Sequence, residues 1–186
     1  MEFTFGPMKL SEKLIFKQWS HILGVRHPDP ILSNHILLFP RRRTPSFNNL
    51  EPEEVMDLSL AIRLIINLFE KGYASQGTTV YFKNYSDRTE PADQLQQMLT
   101  NYSRVETLNH FHVHIIPRKI GDLANNDVIY REIESSDRNF LKFYTDKILR
   151  KDAITEVAIG QLGKEAALFR DAVQKWTNLE RQMINF

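Results

Sequence analysis

The stretch His110-Phe111-His112-Val113-His114-Ile115-Ile116, running on into Pro117 and Arg118, decides how this chain is read. Apolar residues alternate with a single polar type, and successive side chains of a strand point to opposite faces, so the pattern predicts a half-buried β-strand. Phe111, Val113 and Ile115 then face a core while three imidazoles share the other side. Half of the chain's six histidines fall here; the others are His21, His27 and His35. Histidine can act as nucleophile, proton donor or metal ligand. A strand rises about 3.3 Å per residue, which separates His110 from His114 by about 13 Å of backbone, too far for all three to ligate one tetrahedral zinc on a straight strand. Two of them could hold an ion only with ligands from elsewhere, and the chain has no cysteine and no His-Glu-x-x-His helix. No metal-ligand set is assigned.

The rest of the composition fits one globular domain. The chain has 186 residues, 42% apolar and 25% charged, with a net charge of +1. Acidic and basic residues are spread along it, which argues against a nucleic-acid groove or a membrane surface as partner. The one compact basic run, Arg41-Arg42-Arg43, reads as a solvated turn after a strand. Without cysteine there are no disulfides, which suits a reducing compartment; the expected location is cytoplasmic, extending to the nucleus. The amino terminus lacks the basic and apolar regions of a signal peptide, and no apolar run is long enough to cross a bilayer.

Residues 13–17 and 21–25 read as short strands, and 31–32 with 35–39 as another after the turn at His27-Pro28-Asp29-Pro30. Pro52 suits the first turn of a helix, and Leu58, Ala61, Leu64, Ile65, Leu68 and Phe69 then recur at three- and four-residue spacing as far as Gly72. Residues 78–84 alternate Thr79, Tyr81 and Lys83 with Val80 and Phe82, a strand expected to pair with the histidine strand over 108–116. Helices are expected over 93–102, 138–149 and 155–182, with Gly160 and Gly163 weakening or breaking the last.

The pattern His-φ-His-φ-His-φ-φ, with φ apolar, resembles the motif of the histidine-triad nucleotide hydrolases and transferases, and most closely the fragile-histidine-triad branch of dinucleoside polyphosphate hydrolases. Supporting matches are Phe3, Phe5 and Gly6; His35, Leu37, Pro40 and Arg42; Leu50 to Val55; and Arg118, Gly121, Asp122, Asn126, Asp127 and Tyr130. The resemblance implies an α+β fold, an antiparallel sheet of about five strands with packed helices, dimerising so that two sheets join. The domain would span 1–134 with an insertion at about 86–105, and 135–186 would be an extra helical extension packed on it. By resemblance His112 is the nucleophile, attacking the α-phosphorus of an adenine dinucleoside polyphosphate of the diadenosine triphosphate type to give a nucleotidyl-histidine intermediate that water cleaves to AMP. His114 and His35 would orient and polarise the site, and His110 would hold His112 in its tautomer. Phe5 and Leu37 are candidates for the base pocket, with ordinary core packing an equal reading; His27 stands at the ribose position, and Asn84 and Glu106 are further candidates for substrate binding.

The departures from that pattern matter as well. Lys83-Asn84-Tyr85-Ser86-Asp87 stands where the family has a Gln-Asp-Gly-Pro turn, and Glu106 where it has a Gln or Ser that hydrogen-bonds phosphate. A carboxylate about 4 Å from a phosphate charge, at an effective dielectric near 20, opposes binding by about 4 kcal/mol, roughly a thousandfold. A divalent cation, magnesium or manganese, bridging Glu106 and phosphate would remove the repulsion, as would Arg88 or Arg104, or a loop that turns Glu106 away. The alternative reading is a degenerate relative that binds nucleotide or a protein partner with little turnover. Asn34 replaces a family Gly, and Asn takes a left-handed turn more readily than most residues.

Overall fold

The computed structural model describes residues 3–6, 8–85, 108–143 and 153–184. The fold is α+β, built on a five-stranded antiparallel sheet. Its strands are β3 (Ile15–Gln18), β4 (Ile22–Arg26), β5 (Ile36–Pro40), β6 (Gly77–Lys83) and β7 (His112–Arg118), in the order β3-β4-β5-β7-β6. A separate hairpin of β1 (Phe3–Phe5) and β2 (Met8–Leu10) lies apart from that sheet. The helices are α1 (Pro52–Asn67), continued by a wider turn over Leu68–Gly72, α2 (Val128–Phe143) and α3 (Ala153–Ile184). No helix of the described residues is long and apolar enough to cross a membrane.

The period-two pattern of β7 separates two apolar clusters. On one side Phe111, Val113 and Ile115 join Ile36 and Leu38 of β5 and Phe16 and Ile22, against Leu58, Ala61 and Ile65 of α1 and Phe169 and Val173 of α3. On the other, Leu23, Val25, Leu37 and Phe39 pack under Phe3, Phe5, Met8 and Leu10 of the hairpin. Beyond the histidines Ile116 meets Ile129 and Ile133 of α2. The strand expected to be half-buried is therefore buried on both faces. Its pattern alternates because the covered second face holds imidazoles instead of water-exposed groups. Helix α1 starts where Pro52 suits it, with the Glu54 carboxylate accepting from the Glu51 N–H at 2.9 Å and pairing with Arg42 at 2.7 Å.

Several boundaries differ from the expectations. Residues 12–14 form a single 3-10 turn before β3, 31–32 are bent and not a strand, and β7 begins at His112, leaving His110 just ahead of it. Helix α2 starts ten residues earlier than expected, at Val128, and runs through the 134/135 boundary drawn from sequence. Helix α3 passes unbroken through Gly160 and Gly163; at Gly163 an added Cβ would stand 3.3 Å from Cβ of Lys13, a close approach that suits glycine. The three arginines after β5 form a bend with Arg42 and Arg43 exposed, as expected, and they also tie neighbouring segments together. Arg41 donates to the carbonyl oxygen of Trp19, Arg42 pairs with Glu54, and Arg43 donates to the carbonyl oxygen of Asn109. The helix expected at 93–102, the insertion at 86–105, and Arg88, Arg104 and Glu106 lie outside the described residues.

Candidate active site

The register brings the histidines together. Strand β5 pairs with β7 so that Leu37 faces His114 across the ladder, and the turn before β5 delivers His35 beside them. That turn needs a left-handed residue, and Asn34 supplies it at φ 65°. His27, leaving β4, stacks on His35 with ring centroids 4.3 Å apart and planes 8° from parallel. Five of the six histidines, His27, His35, His110, His112 and His114, are buried.

The hydrogen bonds of His35, His114 and His112 form one directed series, whose sense follows from main-chain groups at its two ends. The N–H of Ile31 donates to Nδ1 of His35 at 3.3 Å, so His35 carries its proton on Nε2. That proton points at Nδ1 of His114, 2.9 Å away, leaving the His114 proton on Nε2. Nε2 of His114 lies 3.1 Å from Nε2 of His112, and Nδ1–H of His112 donates to the carbonyl oxygen of His110 at 2.8 Å. Neutral imidazoles satisfy every link in one way only. The lone pair of His112 then sits on Nε2, the nitrogen able to attack phosphorus.

The imidazole of His110 takes no part in that series. Its Nδ1 accepts from the N–H of Gly6 at 2.9 Å and its Nε2 donates to the carbonyl oxygen of Pro40 at 2.9 Å. Burial pushes its pKa down to about 4, only partly offset by the bond to Pro40, so the ring is a neutral strut between the hairpin and the end of β5. The contact that orients His112 comes from the main chain of His110 and not from its side chain.

The remaining candidates are distributed around this series. Phe5 packs on Phe39 at 4.4 Å and presents its edge to His112 at 5.2 Å, and Leu37 lies in the same buried cluster. The Asn84 side-chain oxygen accepts from the N–H of Phe47 at 2.8 Å, which ties the end of β6 to the turn before α1. Three residues that the sequence reading did not single out also border the site. Tyr85 lies 6.0 Å from the His112 ring, Tyr81 lies 6.1 Å from His114, and Lys83 stands directly opposite His112 in the β6–β7 register. The alternation of Thr79, Tyr81 and Lys83, carried across to β7, is the signal for Tyr81 and Lys83.

His27, His35 and His114 bring ring nitrogens within 4.8 Å of one another, the one such group found among the described residues. The N–H of Asp29 donates to Nδ1 of His27 at 3.1 Å, as Ile31 does to His35, which places both ring protons on Nε2. A transition ion needs those lone pairs, so the main-chain donors oppose a metal there.

A sheet whose second strand from the edge carries adjoining imidazoles, with a main-chain carbonyl orienting one of them, defines the class of histidine-triad folds. The HIT domain model matches residues 10–121, and this chain belongs to the HIT domain family. Among curated relatives it is 31% identical over 130 residues to a bis(5'-adenosyl)-triphosphatase of Dictyostelium discoideum, covering 70% of this chain and 76% of that one. It is 30% identical over 115 residues to an asymmetrical bis(5'-nucleosyl)-tetraphosphatase of Schizosaccharomyces pombe, covering 62% of this chain and 54% of that protein, about half its length. Among solved structures, a Plasmodium falciparum diadenosine triphosphate hydrolase in complex with Cyclomarin A superposes with a TM-score of 0.60 at 18% identity, covering 94% of this chain and 85% of that one.

Proposed function

We propose that this protein hydrolyses dinucleoside polyphosphates of the diadenosine triphosphate and tetraphosphate type through a nucleotidyl-His112 intermediate. The observation that carries the reading is the directed imidazole series that ends with a lone pair on Nε2 of His112. Nε2 forms a bond to the α-phosphorus, the bond from that phosphorus to the bridging oxygen breaks, and the phosphate departs as its anion, with the Nε2–H of His114 as a hydrogen-bond donor to the reacting oxygens. Attack makes the His112 ring cationic, and its Nδ1–H, held on the carbonyl oxygen of His110, becomes a charge-assisted bond that stabilises it. Water then attacks the phosphorus, the P–N bond breaks and returns the electron pair to Nε2 of His112, the proton lost by water passes to solvent, and AMP leaves. The names of the related triphosphatase and tetraphosphatase support this substrate class.

Magnesium or manganese would arrive on the phosphate chain and neutralise part of its charge, since these hard ions take oxygen ligands and the converging buried groups here are imidazoles. Pairing of two chains belongs to the same proposal. Strand β6 is an edge of the sheet, and exposed edges invite pairing, so light scattering should give close to twice the 21.8 kDa chain mass. A cytoplasmic setting, extending to the nucleus, is supported by the absence of cysteine. Turnover of diadenosine triphosphate in 18O-labelled water tests the chemistry: the label should appear in AMP and not in ADP. Label in ADP would overturn attack at the α-phosphorus, and no turnover would favour a nucleotide-binding relative.

A further inference from the structure

The connection that delivers His35 is short, and its shape is set from outside it. Arg26 closes β4 directly opposite Ile36, the first residue of β5. Between them the His27 N–H donates to the carbonyl oxygen of His35 at 3.0 Å, and the His35 N–H donates to that of Leu32 at 3.1 Å. The left-handed residue that allows this path is Asn34, at φ 65°. Asn34 also uses its side chain: Oδ1 accepts from Nη1 of Arg26 at 2.6 Å. A hydrogen bond from a charged donor is roughly twice as strong as a neutral one, so the residue immediately before His35 is firmly held.

Arg26 is in turn placed by α3. Its Nη2 pairs with the Glu165 carboxylate at 3.1 Å, and the guanidinium lies 5.7 Å from the centre of the Phe169 ring. The arginine side chain is mostly buried, and its Nε–H has no hydrogen-bond acceptor. A buried cation with one unmet donor is costly, which leaves its orientation dependent on the donors that are satisfied. Those donors go to Asn34 and Glu165 among the described residues. Because the guanidinium is a rigid planar fork, the position of Glu165 fixes the direction in which Nη1 meets Asn34.

Resting on the hydrolase reading, we infer that Arg26 is a positioning residue for the reaction: it sets the Asn34–His35 turn, and with it the proton that His35 offers to His114, according to where α3 places Glu165. Nε2 of His35 reaches Nδ1 of His114 at 2.9 Å, and such a bond weakens steeply once it is misaligned. The influence begins 139 positions away in sequence, on a helix packed against the opposite face of the sheet from the imidazole row. Turnover, and not substrate affinity, is what this contact governs.

The test uses the full chain as wild type, R26M, N34G and R26M/N34G, with diadenosine triphosphate as substrate. N34G keeps the left-handed turn, which glycine adopts freely, and removes the acceptor. Each single change should lower kcat about tenfold with KM within about threefold, and the double variant should lose no more than either single one, because both cut the same link. Nitrogen-detected NMR of the unliganded variants should show the His114 proton divided between its two nitrogens, a change that plain loss of stability does not produce. Losses that multiply to about a hundredfold in the double variant, a loss confined to KM, or an unaltered His114 tautomer would overturn the role given to Arg26. If R26M does not fold, E165M takes its place in the cycle, since the glutamate side chain is 40% exposed on α3; it should lower kcat about threefold alone and add nothing to N34G. If wild type cleaves no dinucleotide the hydrolase reading falls separately, and the tautomer measurement decides on Arg26 alone.

Discussion

The carbonyl oxygen of His110 accepts from Nδ1–H of His112 at 2.8 Å, a bond between neighbours two positions apart on one chain. Because the acceptor is main chain, it has no protonation state to change and no rotamer to lose. The tautomer of His112 is thereby tied to the backbone path entering β7, and the ring of His110 is released to brace the hairpin against β5.

The directed series makes a definite spectroscopic prediction. In nitrogen-detected NMR of the unliganded protein near neutral pH, His112 should carry its proton on Nδ1, while His35, His110 and His114 should carry theirs on Nε2. Finding His112 protonated on Nε2 would leave it without a nucleophilic lone pair and reverse the assignment.

Replacing His112 by Asn should abolish AMP release from diadenosine triphosphate while nucleotide still binds. The amide keeps a donor for the His110 carbonyl but offers no nucleophile. Retained turnover in a rigorously purified variant would rule out the covalent route.

In the proposed mechanism His35 acts through His114 as a positioning residue. Substituting Ala removes the donor to Nδ1 of His114 in a buried site, and kcat should fall about ten- to a hundredfold with a smaller change in KM. The protonated nitrogen of His114 should become mixed in the same variant. An unaltered His114 tautomer would show that the series is not coupled.

Stability should decline in mild acid because of His110. Its pKa in the fold is pushed down to about 4 by burial, against about 6.5 for an unperturbed imidazole, so between those values the unfolded chain binds a proton that the folded chain does not. Unfolding free energy therefore falls as pH drops through that window, by about 3 kcal/mol for this group. Urea titrations at pH 7 and pH 4.5 measure the effect. A His110→Gln variant, uncharged throughout, should lose that part of the slope.

Gly6 should tolerate no side chain. It sits at φ 57°, where an added Cβ meets the carbonyl oxygen and side chain of Leu108, and its N–H is the donor to His110. Gly6→Ala should destabilise the protein by about 2 kcal/mol or more from left-handed strain and displacement of the hairpin. A midpoint equal to wild type in chemical denaturation would refute this.

The central strand and the long amphipathic helix could be read from sequence because each obeys one period over its length, two for β7 and near 3.6 for α1. The candidate site was legible where reactive side chains and period coincide, at His112 and His114. His35 needed the resemblance, since nothing local sets a lone histidine before an apolar run apart from a core residue. Lys83 was visible only as one polar position of an alternating strand, and its meaning arises from a register that pairs it with a residue 29 positions away. The hairpin of β1 and β2 escaped notice because three-residue strands carry too little pattern. The starts of α2 and β7 were misplaced because strand and helix ends depend on tertiary partners that a linear pattern does not contain.

Arg26 joins the turn before β5 to the last helix. Its guanidinium holds Asn34, in the turn that delivers His35, at 2.6 Å, and Glu165 of α3 at 3.1 Å, with only 10% of its side chain exposed. The far carboxy-terminal helix is thus a buttress for the turn that delivers His35, even though the HIT domain match ends at residue 121. A shortened chain ending there would keep every imidazole of the series and still lose the brace that aims the first of them.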